Sequence, residues 1–188
     1  MNKDALLIKI TEGFFKNAEQ NKLEVVYGEN LKFIAWSISK NDNLKNFLDN
    51  PFISLSEKNE ALDNIFSDVI NSDVLRFAKI LLEQNLLNSI WQVRQIYHDL
   101  LNDSKDILEG KIYTPFELSE DQISKLEDIF SQKTRKTSIF HQIIHKDLIA
   151  GIKVVINGYQ YEYTIKDELN KRKNKIIQAI KEEENYGK

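Results

Sequence analysis

His141 and His145 stand four residues apart, a spacing that puts both imidazoles on one face of either a helix or a strand. A protein zinc site needs three ligands, and usually four, drawn from His, Cys, Asp or Glu. The third histidine, His98, falls in a different predicted domain, and the chain has no cysteine. The pair alone therefore makes no metal site, and neither a disulfide nor thiolate chemistry is available. Lys133, Arg135 and Lys136 form a basic cluster that could hold a phosphate. They also fall at the predicted end of a helix, where cations ordinarily meet the negative pole of the helix dipole. Asp and Glu are spread over polar helix faces among lysines. Six glycines scattered singly give no phosphate-cradling loop, and no serine nucleophile motif is present. These patterns point to a non-catalytic protein, with no metal and no cofactor.

The strongest local signal lies in the elements around the two histidines. Residues Ile144–Leu169 read as a Gly-marked turn at Gly151, a strand, a two-residue hairpin, a second strand and a capped helix. Asn157-Gly158 suits a type I′ turn, whose two central residues both need positive φ. That loop length sets Ile156 opposite Tyr159, Val154 opposite Tyr161 and Ile152 opposite Tyr163. Side chains alternate along a strand, so these six share one face, expected to pack on a helix. The other face pairs Val155 with Gln160 and Lys153 with Glu162.

The remaining elements fall into two groups. Up to residue 104 the apolar residues recur at helical spacing. Leu6, Leu7, Ile10, Phe14 and Ala18 mark a first helix, and Val26, Leu31, Ile34, Ala35 and Ile38 a second. A short segment through Leu44 and Leu48 stops at Asn50-Pro51, because proline disfavours helix in the residue before it. Ser54 and Glu57 form a capping box for a helix carrying Ala61, Leu62, Ile65, Phe66 and Val69. Asn71-Ser72-Asp73 caps a fifth, with Val74, Ala78, Leu81 and Leu82 on its apolar face. A sixth follows Asn85 and carries Ile90, Trp91, Arg94, Tyr97 and Leu101. Trp36 and Trp91 fit helical apolar faces and are expected in the core, with a groove lining as the alternative.

From residue 105 a strand over Ile107–Thr114 ends at Pro115. Ser119 and Gln122 form a second capping box, with Leu118 able to staple onto Ile123 and Leu126, Ile129 and Phe130 extending the stripe. A strand over Ser138–Ile144, the hairpin, and a helix opened by Thr164 and Asp167 complete the chain, with Glu182-Glu183-Glu184 near its end. The fold class is mainly α: a six-helix bundle over 1–104, then a small α+β domain, written βαββα, over 105–188.

The 188 residues, 41% of them hydrophobic, suffice for two small cores. A net charge of −3 argues against a dedicated nucleic-acid binder, which normally carries a basic face. No apolar run approaches the roughly 20 residues needed to span a bilayer. The N-terminus lacks the form of a signal peptide, so a cytoplasmic setting is expected.

From about Asp4 to Ile180 the chain resembles the delta subunit of F-type ATP synthases, the oligomycin-sensitivity-conferring protein family. The resemblance rests on Leu48-x-Asn50-Pro51-x-Ile53 followed by Lys58 and Leu62, and on Val74-Leu75-x-Phe77-x-x-x-Leu81-Leu82-Glu83. In the second half it rests on Leu118-Ser119, Leu148-Ile149-Ala150-Gly151, Ile156-x-Gly158 and Leu169. The chain departs from the family at Asn85-Leu86, usually Gly-Arg, at His145, usually Asp, and at Ala150-Gly151, usually Gly-Gly. Glu162-Tyr163-Thr164 replaces the usual Asp-Gly-Ser.

The resemblance implies a peripheral-stalk, or stator, subunit. It would link the catalytic head to the membrane sector and resist rotor torque during proton-driven ATP synthesis. The N-terminal domain would grip the N-terminal helix of an alpha subunit, and the C-terminal domain the b subunits of the stalk. The protein would then act as a monomer within a larger complex, at the cytoplasmic face of the cell membrane and not inserted in it. Candidate groove residues are Ile10, Phe14 and Ala18 on the first helix, and Val74, Phe77 and Leu81 on the fifth. The rival readings are a helical peptide-binding adaptor unrelated to ATP synthase, an RNA-associated helical module and, last, a metal hydrolase.

Overall fold

The computed structural model describes residues 3–148, 150–156 and 159–164, and the chain divides into two compact units between Ser104 and Lys105. The Asn157-Gly158 turn and the helix expected beyond Thr164 lie outside the described residues.

The first unit is a helical bundle: α1 (Lys3–Asn21), α2 (Glu24–Lys40), α3 (Asp42–Asp49), α4 (Leu55–Phe66), α5 (Ser72–Glu83) and α6 (Ile90–Ser104). The starts of α3, α4 and α5 are set by polar caps. Asn41 accepts from the Leu44 N–H at 3.1 Å, Asn71 from the Asp73 N–H at 2.8 Å, and Ser54 and Glu57 close their capping box on α4. Ser54 donates to the Glu57 carboxylate from both its hydroxyl and its backbone, which holds that carboxyl below its usual range. The stops are equally local. At the end of α1 the Leu23 N–H donates to the Ala18 carbonyl at 3.0 Å and the Lys22 N–H to Glu19 at 3.1 Å, with Lys22 at φ 58°. The same Schellman pattern ends α5, where Leu86 reaches back to Leu81 at 2.7 Å and Asn85 to Leu82 at 3.0 Å. Asn85 holds φ 55° there. This left-handed position explains why asparagine, the side chain that tolerates it best, stands where the resembled family has glycine.

Two elements end or begin differently from the sequence pattern. α4 stops at Phe66, so Val69 lies in the following turn and is exposed. A 3-10 turn over Leu87–Ser89 precedes α6. The bundle closes around Leu7, Phe14, Tyr27, Leu31, Leu62, Phe66, Val74, Leu81, Val93 and Tyr97, all buried. Trp36 and Trp91 do not join them. They are 53% and 45% exposed, because the core-facing positions of α2 and α6 are taken by Tyr27, Leu31, Ile34 and Ile38 and by Val93 and Tyr97. Val26 and Ile65, read as core, are also exposed, on the outer edges of their stripes.

The second unit is a four-stranded sheet and one described helix. β1 (Ile107–Thr114), α7 (Glu120–Thr134), β2 (Thr137–Ile144), β3 (Gly151–Ile156) and β4 (Tyr159–Thr164) give the sheet order β2-β1-β3-β4. Three strands follow the helix, not the two of the shorthand βαββα, because β2 is a strand of its own, separated from the hairpin by β1. β1 and β2 are parallel with α7 as the crossover, and β1–β3 and β3–β4 are antiparallel. The hairpin register is the one the two-residue loop requires: Ile156 faces Tyr159, Val154 faces Tyr161 and Ile152 faces Tyr163.

α7 covers one sheet face, burying Phe130 against Leu108, Ile112, Phe140, Val154 and Ile156. The Phe130 ring meets Phe140 at 5.1 Å and Tyr161 at 5.5 Å, both edge to face. Tyr159 lies beyond the reach of this core and is 70% exposed, contrary to the burial expected of its row. Ile129 points away from the sheet and is exposed as well. Gly110 sits where β1 is most crowded: a Cβ there would come 2.7 Å from the Phe140 ring and 2.9 Å from the Val155 carbonyl oxygen. The outer edge of β2 is covered by α7. The Phe140 N–H donates to Glu127 at 2.9 Å and the Ser138 N–H to Ser131 at 2.8 Å, satisfying edge groups that would otherwise template another strand. No described helix is long and apolar enough to cross a membrane.

Candidate partner groove between the first and fifth helices

Phe14 of α1 and Phe77 of α5 stack face to face, with ring centroids 3.9 Å apart and planes 1° from parallel. Tyr27 of α2 stacks behind Phe14 at 5.1 Å, and its hydroxyl donates to the Asp73 carboxylate at 2.7 Å. Burial first, and then this bond to a carboxylate, raise the Tyr27 phenol above its usual pKa, so the neutral donor form persists. Asp73 also pairs with Arg76 at 3.6 Å along the helix surface. In front of the stacked rings lies an open depression of about 260 Å³, lined by Ile10, Phe14 and Asn17 of α1 and Asp73, Arg76, Phe77 and Ile80 of α5.

Of the six residues singled out by spacing, Ile10, Phe14 and Phe77 line this depression. Ala18, Val74 and Leu81 are wholly buried and support it from behind. Helix geometry accounts for the split. At about 100° per residue, Ile10 and Asn17 lie roughly 40° and 60° to one side of Phe14, while Ala18 lies roughly 40° to the other. On α5, Asp73 and Ile80 fall on the groove side of Phe77 by roughly 40° and 60°, and Val74 and Leu81 on the core side by similar angles. The two phenylalanines straddle the border between core and groove. Asn17, Asp73, Arg76 and Ile80 were missed because they lie off the strongest apolar stripe. The steps of three from Phe14 to Asn17, from Asp73 to Arg76 and from Phe77 to Ile80 are the signal that finds them, once Asp73 is placed one turn before Phe77.

Such a groove has an apolar floor and a polar rim bearing one acid and one base. It suits the apolar stripe of an amphipathic helix, with Asp73 and Arg76 available to polar groups at its edge. The other sequence candidates do not assemble. His141 meets Glu109 at 2.6 Å, His145 lies edge-on to Tyr113, and His98 contacts Asn102 in the other unit. Among the described residues no three His, Cys, Asp or Glu converge on a point that could hold a metal. Arg135 is the left-handed C-cap of α7, and Lys133 lies 5.3 Å over the Tyr161 ring, so the basic cluster serves the helix end.

Fold and groove together define a class: a mainly helical protein of two units, the first carrying an open apolar groove between α1 and α5. Residues 11–176 match the family described as the ATP synthase delta (OSCP) subunit, and the chain belongs to that family. It is 26% identical over 162 residues to the ATP synthase subunit delta of Clostridioides difficile, covering 86% of this chain and 90% of that one. The corresponding subunit of Mycoplasma mobile is 30% identical over 160 residues, with 85% and 88% covered. In fold, the chain is similar to one from the Toxoplasma gondii mitochondrial ATP synthase hexamer. The TM-score is 0.66 at 15% identity, across 92% of this chain and 97% of that one.

Proposed function

We propose that this protein is the stator subunit that joins the catalytic head of an ATP synthase to its peripheral stalk and resists the torque of the rotor. In this reading the α1–α5 groove seats the N-terminal helix of an alpha subunit, and the unit beyond Ser104 holds the ends of the b subunits. The protein works as a non-catalytic peripheral component at the cytoplasmic face of the cell membrane. The observation that carries the reading is the groove itself. Ile10, Phe14, Phe77 and Ile80 form an apolar strip matched to one face of a helix, on a chain of the ATP synthase delta family. The function needs slow dissociation under load, which a desolvated aromatic floor favours.

Calorimetric titration of the full chain with the N-terminal peptide of the alpha subunit encoded by the same genome tests the groove. Saturable binding is expected. Ile80→Glu should abolish it while leaving the thermal midpoint unchanged, because Ile80 is 41% exposed and outside the core. A folded chain that does not bind the peptide would overturn the groove assignment. Undiminished ATP synthesis and head–stalk coupling in a deletion strain would overturn the stator reading as a whole.

A further inference from the structure

A second trough runs along the outside of α2 and α6, and it shares no lining residue with the α1–α5 groove. Gly28 lets the two helices approach closely, since a Cβ there would already be 3.3 Å from the Tyr97 ring. At one end the trough holds about 320 Å³ between Phe33, Trp36 and Trp91, with Glu29, Lys32 and Arg94 at its side. It continues past the same three charged residues toward Val25 and Leu101. From Val25 to Trp36 it follows α2 for about three turns, roughly 16 Å at the helical rise. That length suits a peptide helix better than a small molecule.

Single exposed apolar residues are ordinary on a protein surface, but three large aromatics converging on one trough are not. The charges add a direction. Glu29 is already engaged by Lys32 at 3.6 Å. Arg94 is partly buried and makes no ion pair or hydrogen bond with any described residue. The trough thus carries net positive charge on a chain whose net charge is −3. A planar guanidinium in a trough that two tryptophans also line is suited to a bidentate carboxylate, and Trp and Arg are the side chains that dominate interface energetics.

We infer that the α2–α6 trough docks a second amphipathic peptide helix, one carrying an Asp or Glu between bulky apolar residues. The carboxylate meets Arg94, and the apolar residues on either side fill the space among Phe33, Trp36 and Trp91. The inference does not depend on what occupies the α1–α5 groove.

Photo-crosslinking of the full chain in its own cells tests it, with p-benzoylphenylalanine replacing Trp91 and, in a parallel strain, Ile80. The Trp91 probe should join a segment of another protein that has helical apolar spacing and an acidic residue within a turn of the adduct. Arg94→Glu should reduce that adduct by about tenfold or more, as loss of a buried charge pair does. Replacing the partner's acid by Lys should then restore it. The Ile80 adduct should be unaffected by Arg94→Glu, showing that the bundle is intact. Four results would overturn the inference: no adduct at Trp91; an adduct to residues 105–188 of the same chain, to a second copy, or to lipid or nucleic acid; a partner segment without a carboxylate; or an adduct insensitive to Arg94→Glu. Failure of the α1–α5 assignment would appear separately, in the Ile80 strain.

Discussion

The helical bundle and the sheet unit sort their side chains by different rules. In the sheet, neighbours alternate strictly, so a residue faces α7 or faces away, and Ile112 and Val154 are wholly buried while Lys111 between the strands' inward positions is exposed. In the bundle each step turns the side chain by about 100°, so a residue can stand on the border of two faces. Phe14 and Phe77 do so: both pack in the core and both floor the groove. The candidate groove of this protein therefore arises at helix borders, whereas the strand alternation serves burial.

The sharpest test of this contrast separates the two sides of α5. Leu81→Ala removes a wholly buried side chain next to the groove. It should cost about 2–5 kcal/mol of bundle stability. The protein that remains folded should bind the alpha-subunit peptide with near-normal affinity, as calorimetry would show. A loss of affinity in fully folded L81A would mean that core and groove are not distinct faces.

In the sheet unit the comparable disruption is Gly110→Val, which forces a side chain against the Phe140 ring and the Val155 carbonyl. Overpacking of this kind should cost about 1–3 kcal/mol. Hydrogen exchange followed residue by residue should show protection lost in β1, β2 and β3 and retained in α1, α2 and α6. Equal loss in both would mean that the units do not unfold independently.

A smaller effect concerns pH. Burial, and then the negative charge of Glu24 nearby, push the Tyr97 phenol above its usual pKa, and burial raises Tyr27 as well. The unfolded phenols ionise near their ordinary value of about 10, while the folded ones stay neutral. The stability they contribute is complete below that pH and is lost as the pH rises above it toward the folded values. Tyr97→Phe should flatten this alkaline decline in chemical denaturation curves. At neutral pH it should cost about 1 kcal/mol for the bond from the Tyr97 hydroxyl to the Glu24 carbonyl. An alkaline decline of unchanged steepness would remove Tyr97 from the account.

The smallest change is in the sheet. The Ser138 hydroxyl oxygen is buried without a hydrogen-bond partner among the described residues. Ser138→Ala should leave stability unchanged or raise it by up to about 1 kcal/mol, read as a shift in denaturation midpoint. A clear loss would mean that the hydroxyl is satisfied in solution.

Much of the architecture could be read from local chemistry, because the groups that decide it lie within a few residues of one another. Ser54 with Glu57 and Ser119 with Gln122 cap their helices in the structure as their spacing required. The partners across β3 and β4 follow from a two-residue loop and a period of two, and the structure holds that register. The bundle's caps and breaks, at Asn41, Asn71 and Asn85, are likewise settled by backbone groups nearby. The order of short motifs along the chain points to the delta family, and the family match over residues 11–176 shows the membership.

Packing across distance decided the rest. An apolar stripe tells that a helix buries one side, but not where that side ends. Ala18, Val74 and Leu81 became core and Ile80 groove because of where α1 and α5 meet. Trp36 and Trp91 carried the same apolar signal as core residues, and they were left on the surface because Tyr27, Ile34, Val93 and Tyr97 fill the interior. Tyr159, in a row expected to be buried, stayed in solvent because it lies beyond the α7 core. Local hydrogen bonds fix where an element starts and stops, and a sequence carries them whole. Which apolar surface remains for a partner depends on how much of it the other elements cover, and only the assembled tertiary structure determines that.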